Sequence, residues 1–177
     1  LETDVYDSVS ITGGTAGDAD LKKAFGLLFR ALDDLRPNEV YLCTGGTPRY
    51  ALWGELMTLR AKTCGAVGAV VDGFSRDTPG ILALNFPVFS HGRYAQDQGV
   101  RGKVVDWRVP LEFGNGVRVV SGDVVFADLD GVLIVPADAV EEAFTRALEK
   151  VRGEKLVRDA IANGMSTVDA FAKFGIM

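Results

Sequence analysis

The residues best suited to chemistry lie in Val70-Val-Asp-Gly-Phe-Ser-Arg-Asp-Thr-Pro-Gly80, where an apolar run ends in Asp72-Gly73 and Arg76 and Asp77 follow side by side. Taken alone, such a pair is a surface ion pair worth little. Its position argues for more, because α/β sheets place their sites after a buried strand and a glycine-containing turn. A second feature is Gly54-Glu55-Leu56-Met57, with Glu55 on or near a helix start, where orphan N–H groups hold carboxylates. A Glu that merely favours the helix dipole fits it equally. Gly45-Gly46-Thr47 follows a strand but lacks the lysine and spacing of a phosphate loop, so it reads as a turn. Asp123, Asp128 and Asp130 fall within eight residues and resemble a metal cluster, yet strand alternation and Asp-Gly turn chemistry account for them. His91 is the only histidine, which excludes a His-rich metal site.

These residues need elements to carry them. Thr12–Asp20 reads as a loop, with Asp18 or Asp20 able to cap the helix expected after it. Leu21, Ala24, Phe25, Leu28, Leu32 and Leu35 recur at helical spacing, and Pro37 stops the run. Glu39–Gly46 reads as a short buried strand, Tyr50–Gly65 as a helix closed by glycine, and Ala66–Asp72 as the next buried strand. This alternation predicts an α/β fold with a parallel layer covered by helices. The second half is β-rich, its short runs separated by Gly-Asn-Gly, Ser-Gly-Asp and Asp-Leu-Asp-Gly turn signals. A helix is expected over Ala137–Arg152, with Val140, Phe144, Ala147, Leu148 and Val151 on one face. A shorter pair comes after it, interrupted at Gly164, where Ser166 and Asp169 form a capping-box pattern.

The chain has 177 residues, which suits one domain spanning 1–177, and 47% are hydrophobic, enough for a sizeable core. A net charge of −5 without a basic run argues against nucleic acid as a partner. No stretch is long and apolar enough to span a membrane, and no signal peptide is visible. Leu1 is not an initiator methionine, which leaves room for an element ahead of it. Cys43 and Cys64 fit neither a disulfide framework nor a zinc pattern, so two reduced thiols and a cytoplasmic location are expected.

In this order, "GELMTLRAKTCGAVGAVVDGFSRD", "FPVFSHG", "SGDVVFADLDGVLIVP" and "NGMSTVDAFAKFGIM" resemble the RraA-like family, from about Val40 onward. That family includes the regulator of ribonuclease activity A and class II pyruvate aldolases acting on 4-hydroxy-4-methyl-2-oxoglutarate. Its most specific element is an acidic residue, twenty intervening residues and Arg-Asp, matched here by Glu55 and Arg76-Asp77. The resemblance implies a swivelling β/β/α domain and a homotrimer or hexamer with sites between subunits. It implies that Asp77 is the one direct protein ligand of Mg²⁺ or Mn²⁺ and that Arg76 binds the substrate oxygen. The N–H groups of Leu56 and Met57, after Gly54, would hold the pyruvyl carboxylate, and Glu55 would orient a proton-carrying water. The family usually has Asp at that place, so Glu55 is a departure that bears on the water's position. Glu154 is the candidate for a residue reaching the neighbouring subunit's site.

The implied chemistry is retro-aldol cleavage of a small 2-keto acid, with oxaloacetate decarboxylation through the same pyruvate enolate. A Schiff-base lysine is disfavoured, since none of the seven lysines sits in an apolar run that would depress its pKa. A hard cation chelated by the keto acid does the same work, and Mg²⁺ commonly keeps several waters beside one or two carboxylates. The competing expectation is a protein that inhibits ribonuclease E through its surface, because "EFGNGVRVVSGD" resembles the regulator branch.

Overall fold

A computed structural model of the chain describes residues 19–47, 49–99 and 101–176. The expected loop and cap over Thr12–Asp18 lie outside the described residues, and Asp20 falls within a 3-10 turn, Ala19–Lys22. The chain forms two compact units: one holds the described residues up to Ser121 with Val125–Ile134, the other Gly122–Val124 with the residues from Val135 onward.

In the first unit a β-β-α order recurs. Strand β2 (Val40–Cys43), β3 (Ala51–Trp53) and helix α2 (Glu55–Thr63) are followed by β4 (Gly68–Val71), β5 (Phe74–Ser75) and α3 (Thr78–Ala83). Strands β6 (Val88–Phe89) and β7 (Gly92–Arg93) come next. First strands of each step join one parallel sheet, β2-β4-β6, and second strands another, β3-β5-β7. The chain therefore passes from one sheet to the other within each step, the swivelling β/β/α arrangement. All four residues of β4 and all three of β3 are buried, which explains why β4 reads as a continuous apolar run. Trp53 is the centre of the core, 1% exposed, with Tyr41 at 4.8 Å and Phe86 stacked at 6.4 Å between ring centroids.

Two sequence expectations are corrected here. The helical spacing over Leu21–Leu35 yields only α1 (Leu28–Asp33), because Phe25 and Gly26 take positive φ and form a short strand, β1, paired with β8 (Lys103–Val104). Leu27 N–H donates to Val104 O at 2.8 Å, so tertiary pairing overrides the local period. The helix expected from Tyr50 begins instead at Glu55, because Ala51–Trp53 pair with β5.

The hairpin signals are matched. Strands β9 (Leu111–Glu112) and β10 (Arg118–Val119) pair antiparallel around Gly114-Asn115-Gly116, with Gly116 at φ 84°. Strands β11 (Val124–Asp128) and β12 (Gly131–Val135) are joined by Leu129-Asp130, and the Asp130 N–H donates to Asp128 Oδ1 at 2.8 Å. Asp128 thus serves the turn.

In the second unit Asp123 Oδ1 accepts from Ala137 N–H at 3.1 Å. Helix α4 (Val140–Ala162) runs past the expected end at Arg152, since Gly153 is accommodated within it. Phe144, Leu148 and Val151, read from sequence as one apolar face, are 39%, 57% and 60% exposed. Gly164, at φ 96°, separates α4 from α5 (Thr167–Phe174). The capping pair forms as expected: Asp169 N–H donates to Ser166 Oγ at 3.1 Å, and that hydroxyl donates to Asp169 Oδ2 at 2.6 Å. Among the described residues no helix is long and apolar enough to cross a membrane.

Candidate functional site

The sequence-predicted residues meet at the C-terminal ends of β3 and β5, where parallel α/β sheets present their sites. Trp53 is buried, and its indole N–H donates to Thr58 Oγ1 at 2.7 Å, which in turn donates to Gly54 O at 3.0 Å. These bonds pin the first turn of α2 to the core. The N–H groups of Glu55, Leu56 and Met57 precede the first intrahelical bond, from Thr58 N–H to Gly54 O, and so point out of the helix start. Leu56 is 78% exposed, so its apolar side chain plays no part in the core.

Arg76 and Asp77 leave β5 toward this helix start. Asp77 stands at φ 59°, ψ 34°, a left-handed conformation that costs on the order of 1 kcal/mol for a residue with a Cβ. It is the N-cap of α3, the position where an Asp ordinarily caps its own helix, yet its carboxylate makes no such bond. The strained backbone turns the carboxylate to the other helix, where Asp77 Oδ2 accepts from Glu55 N–H at 3.3 Å. Arg76 Nη1 lies 3.1 Å from both carboxylate oxygens. Gly54 makes this approach possible: a Cβ there would lie 2.7 Å from Asp77 Oδ2 and 3.5 Å from Arg76 Cγ.

Two further residues belong to the group. Asp97, beyond the end of β7, takes Arg76 Nη2 on its Oδ2 at 2.9 Å. Gly80, in the first turn of α3, lies under the Glu55 carboxylate, and a Cβ at Gly80 would overlap it. The longer acid at position 55 therefore has a gap cut for it.

A second polar cluster lies at the ends of the other sheet. Asp72, after β4, accepts from Thr44 Oγ1 at 3.0 Å and from Gly114 N–H at 2.8 Å on Oδ2, and His91 Nε2 lies 2.9 Å from Oδ1. This carboxylate ties the β9–β10 hairpin to the sheet. Nearby, burial raises the Cys43 thiol to about 11, and the Asp72 charge adds to that effect, so the thiol stays protonated. Asp72 and His91 also face an open cleft of about 1340 Å³ with apolar walls including Leu82, Phe113 and Leu133. Glu55, Arg76 and Asp77 do not line that cleft, so size and chemistry point to different places, and the residue chemistry decides for the helix-start group.

A profile of the RraA-like family (Aldolase/RraA) matches residues 4–134. The chain belongs to that family. Among its relatives, the protein DlpA of Legionella pneumophila is 34% identical over 119 residues, 67% of this chain but 19% of DlpA. A protein of Halalkalibacterium halodurans named "Putative 4-hydroxy-4-methyl-2-oxoglutarate aldolase" is 30% identical over 145 residues, 81% of this chain and 68% of that one. The crystal structure of Streptomyces coelicolor RraAS2, described as an unusual member of the RNase ES inhibitor RraA protein family, superposes with a TM-score of 0.67. It is 28% identical, over 74% of this chain and 67% of that chain.

Of the residues singled out from sequence, the structure brings Gly54, Glu55, Arg76 and Asp77 together. Leu56 and Met57 follow in the same helix turn. Glu154 lies on α4 in the second unit, where Lys150 Nζ is 3.5 Å from its carboxylate. Asp97 and Gly80 join the helix-start group, and neither carries a sequence signal for that role. Asp97 sits in an irregular segment with no periodic or motif signal, and Gly80 reads from sequence only as a turn residue after Pro79.

Proposed function

We propose that the protein is a divalent-metal-dependent class II pyruvate aldolase, cleaving substrates of the 4-hydroxy-4-methyl-2-oxoglutarate type to give pyruvate and decarboxylating oxaloacetate. The observation that carries this reading is the Asp77 carboxylate, held in a strained conformation away from its own helix and beside an arginine and a second helix start. The name of the Halalkalibacterium relative supports the same reaction class.

In this reading the orphan N–H groups of Leu56 and Met57 bind the pyruvyl carboxylate. As the carbon–carbon bond breaks, its electron pair moves toward the keto oxygen, and Arg76 offers that oxygen a permanent charge with planar donors. Glu55 orients a water that carries protons to and from the substrate. Asp77 is the protein ligand for Mg²⁺ or Mn²⁺. The donor chemistry fits: a hard carboxylate oxygen, brought beside the start of α2 by the missing Cβ of Gly54. When bound, such an ion supplies Lewis-acid polarisation of the keto group. Mg²⁺ commonly keeps several waters beside one or two carboxylates, so one protein carboxylate suffices in this reading.

A homotrimer or hexamer is part of the proposal, with Glu154 contributed by the neighbouring subunit and a cytoplasmic setting. Leu129 is fully exposed and Leu133 64% exposed in the single chain, apolar surface that self-association would cover. Light scattering should give a multiple of 18.9 kDa at micromolar concentration, and a monomer would contradict it.

The likeness to RraAS2 favours a second reading, inhibition of ribonuclease E through a binding surface. Pyruvate release from oxaloacetate, measured with Mg²⁺ and with EDTA, separates the two. Turnover abolished by the chelator is the expected result. Absence of turnover together with inhibition of ribonuclease E would replace the enzyme by the regulator.

A further inference from the structure

We infer that Asp97 is a positioning residue: by taking the other arm of Arg76 it divides the guanidinium's charge, so that the arginine yields the Asp77 carboxylate to a cation. The inference rests on the reading of Asp77 as the metal carboxylate. Arg76 Nη1 lies 3.1 Å from both Asp77 oxygens, so the guanidinium occupies the atoms that a divalent cation needs. A cation bound to that carboxylate would lie within a few ångström of the guanidinium and be repelled by it. The arginine must therefore stay close enough to serve the substrate and yet give up the ligand when a cation arrives.

Asp97 is placed for that task. Its Oδ2 takes Nη2, the other arm of the fork, at 2.9 Å. Its own position is fixed by the backbone. Asp97 Oδ1 accepts from Gly99 N–H, its carbonyl accepts from Arg101 Nη1 at 3.0 Å, and the residue bridges to Ala51 of β3. Asp77, by contrast, is held beside Arg76 by the long 3.3 Å bond from the Glu55 N–H. A rigid planar guanidinium gripped at Nη2 by an anchored acid can yield Nη1 without leaving the site. With Asp97 neutralised, the arginine's whole charge falls to Asp77.

The Arg76 and Asp97 side chains are 36% and 42% exposed, so the pair adds little to folding. A purely structural role would therefore move neither stability nor metal affinity appreciably. The test is Mn²⁺ binding to the full chain without substrate, followed by the electron paramagnetic resonance of free Mn²⁺, with a melting curve for each protein. Asp97→Asn should bind Mn²⁺ roughly three- to tenfold more weakly than wild type. Arg76→Ala should bind at least as tightly as wild type, since the competing cation is gone. Adding Asp97→Asn to Arg76→Ala should then change affinity less than twofold, because Asp97 acts through the arginine. Equal weakening in both backgrounds would show that Asp97 acts directly on the metal and would overturn the inference, as would unchanged affinity in Asp97→Asn. Asp97→Ser, which keeps an acceptor for Gly99, replaces the Asn variant if that one fails to melt cooperatively. Asp77→Asn separates the two levels. If it retains Mn²⁺, the metal reading and this inference fall together; if it loses Mn²⁺ while Asp97→Asn does not, this inference alone fails.

Discussion

The carboxylate of Asp77 and the backbone N–H of Glu55 meet at 3.3 Å, joining the N-cap of α3 to the first turn of α2. This contact makes one site out of two helix starts. It exists because Asp77 takes a left-handed conformation and because Gly54 has no side chain. The same economy recurs under Glu55, where Gly80 leaves the space that its carboxylate fills.

The two glycines should therefore matter for turnover and not for folding. Gly54 stands at φ −153°, a conformation open to alanine, so Gly54→Ala should fold while its methyl displaces Asp77. Gly80→Ala improves helix propensity by up to about 1 kcal/mol, but its methyl would push the Glu55 carboxylate away. Oxaloacetate turnover should fall by roughly 10²-fold in Gly54→Ala, and the melting temperature of Gly80→Ala should not fall while its turnover does. Wild-type turnover in both variants would show that the packing around Asp77 and Glu55 has no catalytic meaning.

How much of this was legible in the sequence depended on range. Asp-Leu-Asp-Gly and Gly-Asn-Gly carried their own turn chemistry, and Ser166 with Asp169 carried its own cap, so those elements could be read locally. Glu55 and Arg76-Asp77 were legible as a spacing. Leu21–Leu35 misled because its helical period competes with the pairing of Phe25–Gly26 to Lys103–Val104, a contact between segments far apart in the chain. Asp97 was silent for the same reason: only the folded chain brings it to Arg76.

A different arginine should govern acid stability. Arg108, itself at φ 60°, donates to Asp34 Oδ2 at 2.7 Å and to Glu39 Oε1 at 2.6 Å, binding the end of α1 to the start of β2. Its hydrogen bonds are the main cause holding both carboxyls below their ordinary values of 3.8 and 4.5, against a smaller opposing effect of burial. The folded chain then binds fewer protons than the unfolded chain as pH falls through that range. The stabilisation is complete above the ordinary values and is lost as pH drops through the lower folded ones. Arg108→Ala should melt below wild type at pH 7, and the gap should narrow as pH falls below 4.5. A gap that stays constant down to about pH 2 would mean that the arginine acts by packing alone.

The measurement that bears most directly on the central claim is the turnover of Asp77→Asn on oxaloacetate at saturating Mg²⁺, with a melting curve on the same preparation. Asparagine keeps the shape and tolerates the left-handed backbone, but its neutral amide is a poor ligand for a hard cation. The account predicts an unchanged melting temperature and turnover lower by at least about 10²-fold. Turnover within twofold of wild type would contradict it and move the site away from Asp77.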